Sequence, residues 1–274
     1  MISIAVIMTV HNRKDMTLSC LSHLFDSIIP FNNILDVYLT DDGCTDGTPE
    51  AIKELYPKVN ILQGDGTLFW NRGMHLAWSE AVKKEHDYYL WLNDDTFLFR
   101  YSISRLIKCS RHYFDDFIIV GSTSSTTELE KITWGGYLIK TGLITDITHD
   151  KVCDLINGNI VLIPNSVYKK VGLNDPYFHH AIGDFDYSLR AKKLNILSVV
   201  AEGVYGKCDL NSGTPTWSNP AVSLSKRLKA LFKPIELNPI EYFYYRKRHF
   251  GLIPACMTFI SNYVHVFFPK LWKN

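Results

Sequence analysis

The segment Tyr88-Tyr89-Leu90-Trp91-Leu92-Asn93-Asp94-Asp95-Thr96-Phe97-Leu98-Phe99 runs five apolar and aromatic residues straight into Asn-Asp-Asp. An apolar run that short reads as a buried strand. In an open α/β sheet, ligands bind beyond the carboxyl ends of the strands. Two carboxylates side by side at such an end repel each other unless a positive charge joins them. A divalent cation does so, and an all-oxygen site favours Mg²⁺ or Mn²⁺, which usually also meets substrate phosphates. The plainer alternative is that the two Asp residues cap the next helix.

Upstream, residues 2–10 form a β-rich apolar run that reads as a buried first strand. His11-Asn12-Arg13 then turns into a helix with Leu18, Leu21, Leu24 and Phe25 at helical spacing. A second strand over 34–39 ends in Thr40-Asp41-Asp42-Gly43-Cys44-Thr45-Asp46-Gly47-Thr48, and Pro49 suits the first turn of the helix that follows. A short strand over 59–63 leads to a long glycine-bearing loop over 64–73 and a helix over 74–85. Strand–helix alternation predicts a mainly parallel sheet with right-handed crossovers, an α/β fold. Three strand ends, 9–13, 41–48 and 93–95, then share one edge of that sheet as candidate phosphate- or nucleotide-facing segments.

Beyond Tyr101 the pattern predicts strands at 117–120, 133–139 and 158–164, a polar loop at 122–127 and a short helix over 166–171. In the segment 177–191, Asp184 stands at a helix N-terminus, where the dipole lowers a carboxylate's pKa. Such a carboxylate serves as a base near neutral pH or, more simply, as a helix cap. Among the aromatics, Trp70 stands out because it lies in a Gly-flanked loop beside Asn71 and Arg72.

Of the 274 residues, 46% are hydrophobic and 21% charged, the proportions of a globular protein. The net charge of +1 hides an asymmetry. From Ala221 onward nine Lys/Arg face two Asp/Glu, a net of +7, whereas residues 1–220 carry 20 against 26, a net of −6. An acidic body with a basic tail points to an anionic partner for the tail and argues against nucleic acid as a ligand of the body. The six cysteines form no C-x-x-C pair, so no zinc cluster is expected and they read as reduced thiols of a cytoplasmic protein. Residues 1–10 lack the basic start and cleavage site of a secretory leader. The longest apolar stretch, 250–268, is broken by Pro254, Ser261, Asn262 and His265, so a bilayer span is not expected. Basic and aromatic residues over 223–274 instead suit a helical segment lying on an anionic membrane surface, or packing on the body or on a second subunit as a homodimer.

Taken together, these segments resemble family 2 glycosyltransferases of the GT-A fold, inverting enzymes that use nucleotide-sugar donors. The resemblance rests on the Thr9-Val10-His11-Asn12-Arg13 turn, on Asp41 through Thr48, on Asn93-Asp94-Asp95 as an Asp-x-Asp-type motif, and on Gly183-Asp184-Phe185-Asp186 in place of Glu-Asp-x-Asp. Bacterial sugar transferases that build O-antigen or capsule polysaccharide, some of them rhamnosyltransferases, look most similar.

The resemblance implies a GT-A domain over 1–220, with a nucleotide-binding half at 1–100 and an acceptor-binding half at 101–220, followed by a helical extension over 221–274. It implies that Thr9, His11 and Arg13 line a nucleotide pocket together with Gly64, Trp70, Asn71, Arg72 and Asn93. Asp41 or Asp42 would accept from the imide N–H of a uracil or thymine, Asp94 would contact ribose or sugar, Asp95 would bind Mg²⁺ or Mn²⁺, and Asp184 would be the base. His179, His180 and Trp134 would face a glycan or lipid-linked acceptor. Two departures stand out. Gly183 replaces the usual Glu, and 205–209 lacks the His that many relatives use as a further metal ligand, leaving Cys208 or Asp209. Rival readings are a sugar nucleotidyltransferase, whose Gly-rich loop 9–13 does not supply, and a non-catalytic binder of nucleotide sugars.

Overall fold

The computed structural model describes residues 2–28, 34–210 and 213–271; Lys273, counted in the basic tail, lies outside them. Strands β1 (Ser3–Val10), β2 (Ile34–Asp41), β3 (Asn60–Gln63) and β4 (Tyr88–Leu92) alternate with helices α1 (Lys14–Phe25), α2 (Thr48–Leu55) and α3 (Phe69–Ala81). The short β5 (Phe97–Leu98), helix α4 (Ser102–His112) and β6 (Ile118–Ser124) follow. A run of short strands comes next: β7 (Ile132–Trp134), β8 (Gly136–Leu138), β9 (Gly142–Leu143), β10 (Lys151–Cys153) and β11 (Leu155–Ile156). Then come β12 (Ile160–Pro164), α5 (Asn165–Val171), α6 (Gly183–Lys193) and β13 (Ser198–Lys207). The chain ends in α7 (Leu224–Leu231), α8 (Pro239–Phe250) and α9 (Leu252–Phe267).

The central sheet has the order β10-β13-β6-β12-β4-β1-β2-β3, while β8, β9 and β11 form a separate small sheet. The pairs β1–β2, β1–β4, β2–β3 and β6–β13 are parallel. Strand β12 runs antiparallel to both β4 and β6. The carboxyl ends of β1, β2, β4, β6 and β13 therefore meet the amino end of β12 along one edge. Alternate strand residues face opposite sides. Ile4, Val6, Met8, Leu90 and Leu92 pack with Leu21, Leu24, Ile52 and Leu106 of the helices α1, α2 and α4. Ala5, Ile7, Tyr89 and Trp91 pack with Met74, Trp78, Val167 and Tyr187 of α3, α5 and α6. The result is the expected three-layered α/β arrangement of a mainly parallel sheet between helices.

Two local expectations are corrected. Residues 69–73 are not loop, because α3 begins at Phe69. The Asp42 carboxylate accepts from Gly66 (2.9 Å) and Leu68 (3.2 Å) just ahead of this helix and from its first residue, Phe69 (2.8 Å), while Asn71 N donates to the His179 carbonyl at 2.9 Å. A cap supplied from another strand leaves no local signature. Residues 122–124, expected as loop, extend β6, because pairing with β7 and β13 satisfies their polar backbone.

The boundary expected at 220 is crossed by buried contacts. Tyr245 packs with Phe178, Ile182 and Leu189. Asp186 of α6, buried, receives Arg190 (2.9 Å), Arg248 (2.9 Å) and His249 (2.8 Å). Glu241, also buried, pairs with His179 at 2.5 Å and accepts from Asn238 Nδ2 at 2.8 Å.

Candidate active site

The sheet edge opens into a cleft of about 870 Å³. Thr9, His11, Arg13 and Asp42 line it from the ends of β1 and β2, and Asn93, Asp94 and Asp95 from the end of β4. Asn157, Gly158 and Asn159, ahead of β12, and Cys208 and Asp209, after β13, complete the floor. His180 and Asp184 enter from the α6 side, with Trp134 and Tyr137 beside them. Ile235, Glu236, Leu237 and Tyr242 close one wall.

On the acidic floor, Arg13 holds Asp95 at 2.8 Å and Asp94 at 3.3 Å. The guanidinium is the positive charge that two neighbouring carboxylates require. Burial pushes Asp94 up to about 7, against the pull of Arg13. The other oxygen of Asp95 lies 3.6 Å from the Cys208 thiol, which burial and Asp95 push up to about 12. So protonated, the thiol is a hydrogen-bond donor towards Asp95. The Asp209 carboxylate is engaged by a polar turn, accepting from Ser125 Oγ (2.8 Å) and Thr126 N (2.9 Å). Among the described residues no three His, Cys, Asp or Glu gather to hold a metal ion. One or two carboxylates completed by substrate phosphates is, however, the ordinary donor set of Mg²⁺. Asp95, with Asp94 behind it, fits such an ion.

On the far side, Asp184 accepts from Gly158 N (3.0 Å) and Phe185 N (2.8 Å). These bonds stabilise its charged form, yet burial outweighs them and raises its pKa to about 6. This reverses the direction expected from the helix dipole, because the desolvation penalty of a buried carboxylate exceeds the gain from two N–H groups. Ile182, just before the helix, holds φ +73°, a left-handed conformation uncommon for a β-branched residue. Gly158 leaves room for an aromatic ring, since a Cβ there would lie 2.2 Å from the Trp70 indole. Trp70 Nε1 donates to Asn93 Oδ1 at 2.7 Å, Asn93 bonds Asn159, and Asn159 donates to the Cys208 sulfur at 3.3 Å. A continuous polar chain thus links Trp70 to the Asp95 side of the floor.

The structure brings together Thr9, His11, Arg13, Asp42, Trp70, Asn93, Asp94, Asp95, Trp134, His180, Asp184, Cys208 and Asp209 around the cleft. Asp41, Gly64, Asn71, Arg72 and His179 stand outside its lining, each with a different task. Asp41 accepts from Cys44 N at 2.8 Å. Gly64 passes so close to Asp42 that a Cβ would lie 2.8 Å from its carboxylate. Asn71 ties down the Asp175 and Phe178 carbonyls, both at 2.8 Å, and Arg72 the Pro176 carbonyl at 2.9 Å. His179 is engaged by Glu241. His180 is oriented into the cleft instead, its Nδ1 buried without a partner and its pKa lowered by burial and by Arg13. The cleft residues that sequence reasoning missed include Tyr137, Asn157, Gly158, Asn159, Ile182, Tyr242 and the 235–237 segment. The Asn-Gly-Asn run at 157–159 was the one available signal, a polar glycine turn leading into an apolar strand.

An Asp pair at the β4 end and a buried carboxylate at the start of α6 thus face one cleft at the sheet's carboxyl edge. Glycosyl transferase family 2 is the family whose profile matches residues 5–170, more than half of the chain, and the chain belongs to it. No curated protein sequence matches it. Among solved structures it is similar to the mannosyltransferase PcManGT from Pyrobaculum calidifontis in complex with GDP-Man and Mn²⁺, at 14% identity and a TM-score of 0.57 over 93% of this chain and 73% of that one. It is also similar to S. aureus TarS 1–349 in complex with UDP-GlcNAc, at 13% identity and a TM-score of 0.58 over 94% and 73%. A further S. aureus TarS structure matches at 12% identity and a TM-score of 0.55 over 96% of this chain, which spans about half of that one (49%). At such identities the likeness is one of fold, and the fold is GT-A.

Proposed function

We propose that this glycosyltransferase moves a sugar, with inversion, from a UDP- or dTDP-sugar to a hydroxyl of a glycan or lipid-linked acceptor in cell-surface polysaccharide synthesis. A hexose or rhamnose as the transferred sugar, and O-antigen or capsule as the product, follow from the resemblance of its motifs. The observation that carries the reading is the placement of a buried carboxylate of raised pKa, Asp184, in the same cleft as the Arg13–Asp94–Asp95 cluster.

In the proposed step the acceptor oxygen attacks the anomeric carbon, and its proton passes to Asp184. The bond between that carbon and the diphosphate oxygen breaks, with the electron pair leaving on the diphosphate. A base with a pKa near 6 is charged at neutral pH yet close enough to it to accept a proton effectively. Arg13 offers its guanidinium to the anionic leaving group from the strand-end side. Mg²⁺ or Mn²⁺, held by Asp95 with Asp94, would act as a Lewis acid for the departing diphosphate. Asp42 lines the cleft where Asp41 does not, so the pyrimidine-facing role falls to Asp42, which would accept from the imide in addition to the Gly66, Leu68 and Phe69 N–H groups it already holds. His180, neutral and unpartnered, and Trp134 stand on the acceptor side.

The test is a panel of UDP-, dTDP- and GDP-sugars, read by thermal shift with Mn²⁺ and by release of nucleoside diphosphate. A ligand that binds only the folded chain raises its apparent stability by mass action. A UDP- or dTDP-sugar should stabilise the protein in a metal-dependent way, and Asp95→Ala should abolish both effects. Stabilisation by GDP-sugars alone, or full turnover in EDTA, would overturn the donor and metal assignments respectively.

A further inference from the structure

Helix α9 has two unlike faces. Ala255, Asn262 and Val266 are buried, and Phe259 and Tyr263 meet at a tilt, Phe259 also meeting Phe243 of α8 edge-on. The Arg227 guanidinium, itself buried, donates to the Val266 carbonyl at 3.0 Å and fastens α7 to the end of α9. The opposite face carries Ile253, Met257, Ile260, Val264 and Phe267, all between 40% and 74% exposed. Steps of four and three residues place them in a single stripe along the helix. No residue of α9 is Asp, Glu, Lys or Arg. A stripe of large apolar side chains in water is a cost that a soluble surface usually avoids, and it marks an interaction site.

The surrounding charge selects the partner. Lys226, Lys229, Lys233, Lys247 and Lys270 of the same helical unit are exposed. That unit holds only two acids: Glu241, buried against His179, and Glu236, which accepts from the Thr216 N–H at the cleft wall. A second copy docking face to face would bring the five exposed lysines against their own copies, with Glu236 as the one acid of the unit not buried. At 16 residues, α9 also spans little more than two heptads, short of the length that sustains a coiled-coil seam. Among the described residues no helix is long and apolar enough to cross a membrane. An apolar stripe on a short helix, accompanied by lysines, is the chemistry of a surface that lies in the headgroup region of an anionic bilayer.

We propose that the outer face of α9, centred on Met257 and Ile260, docks the protein on an anionic lipid surface, with the lysines of α7, α8 and the chain end supplying the attraction. The inference goes beyond sugar transfer and stands without it. The same unit also carries Ile235, Leu237 and Tyr242 of the cleft wall, so docking would bring that wall near the bilayer.

Co-sedimentation of the full chain with phosphatidylcholine vesicles, with and without phosphatidylglycerol, tests this. The wild type should pellet with the anionic vesicles, and binding should fall by about tenfold or more between low and high salt, as screened charges require. Met257→Asp combined with Ile260→Asp should abolish binding, and Lys226→Glu combined with Lys229→Glu should weaken it. Both variants should keep the wild-type unfolding midpoint and nucleotide-sugar binding, which separates this result from failure of the transferase reading. No binding of the wild type to anionic vesicles overturns the proposal, and so does undiminished binding of the Met257/Ile260 variant. A wild-type dimer in sedimentation velocity that the same variant dissolves would overturn it in favour of a second copy.

Discussion

A carboxylate at a helix start gains from the unpaired N–H groups there, and Asp184 accepts two backbone bonds, yet its pKa rises to about 6 because the cleft walls remove it from water. If Asp184 is the base, turnover should fall about tenfold per pH unit below about 6, since only the charged form takes the acceptor proton. Asp184→Asn should lower kcat by about two orders of magnitude or more, leave donor affinity nearly unchanged and erase that acid limb. The sign for stability runs the other way. A raised folded pKa favours the protonated native state, so the charged group costs stability above about pH 6, by up to about 3 kcal/mol, and the cost vanishes as pH falls towards 4. The stability of Asp184→Asn relative to wild type should therefore be greater at pH 8 than at pH 4 in denaturant titrations. The neighbouring departure from the family pattern also has a physical cause. A Cβ at Gly183 would lie 1.9 Å from Asn71 Oδ1, and Asn71 is held in place by the carbonyls of Asp175 and Phe178. Gly183→Ala should cost about 1–3 kcal/mol by overpacking. Its loss should be partly relieved in the double variant with Asn71→Ala, a coupling that a double-mutant cycle reads directly.

Strands and their ends were legible because periodicity and composition are local. The Asp pair after β4, the polar end of β2 and the start of α6 were each visible as a change from apolar run to acid or glycine. What escaped was made by residues far apart in sequence. The α3 start depends on Asp42, the role of Gly158 on Trp70, and the engagement of His179 on Glu241. The same holds for α8, which carries the basic residues that the sequence offered as partners for an anion. Arg248 is spent internally, reaching Asp186 at 2.9 Å and Asp175 at 2.7 Å; burial pulls its pKa down, but the two carboxylates together raise it. Through Asp186, two residues from Asp184, α8 braces the helix that carries the proposed base. Arg248→Met should cost about 2 kcal/mol, below the usual 3–5 for a broken buried pair because Arg190 still pairs with Asp186 and His249 still hydrogen-bonds it. If the bracing matters for catalysis, kcat should fall while donor KM stays put. An unchanged kcat with the same stability loss would make the contact structural alone.

At the scale of the whole chain, the question is whether residues beyond 219 form a detachable tail. Composition marks them off sharply, as a basic segment after an acidic body. Geometry ties them in, through the Tyr245 cluster, the Glu241–His179 pair and the Arg248 and His249 contacts to Asp186. Removing them would strip buried Asp186 of two of its three cationic or donor partners and open one wall of the cleft. Leaving a buried charge poorly compensated costs about 3–5 kcal/mol, before counting the apolar surface exposed around Phe178 and Ile182. For a chain of this size that corresponds to a fall in Tm of about 6–20 °C. A chain ending at Asn219 should therefore unfold well below the full protein in calorimetry and show no measurable sugar transfer, even where the acceptor is soluble and no lipid is present. Equal melting of the two forms, with transfer to a soluble acceptor intact, would instead make 1–219 the self-sufficient catalytic unit and the helices α7–α9 a separable attachment.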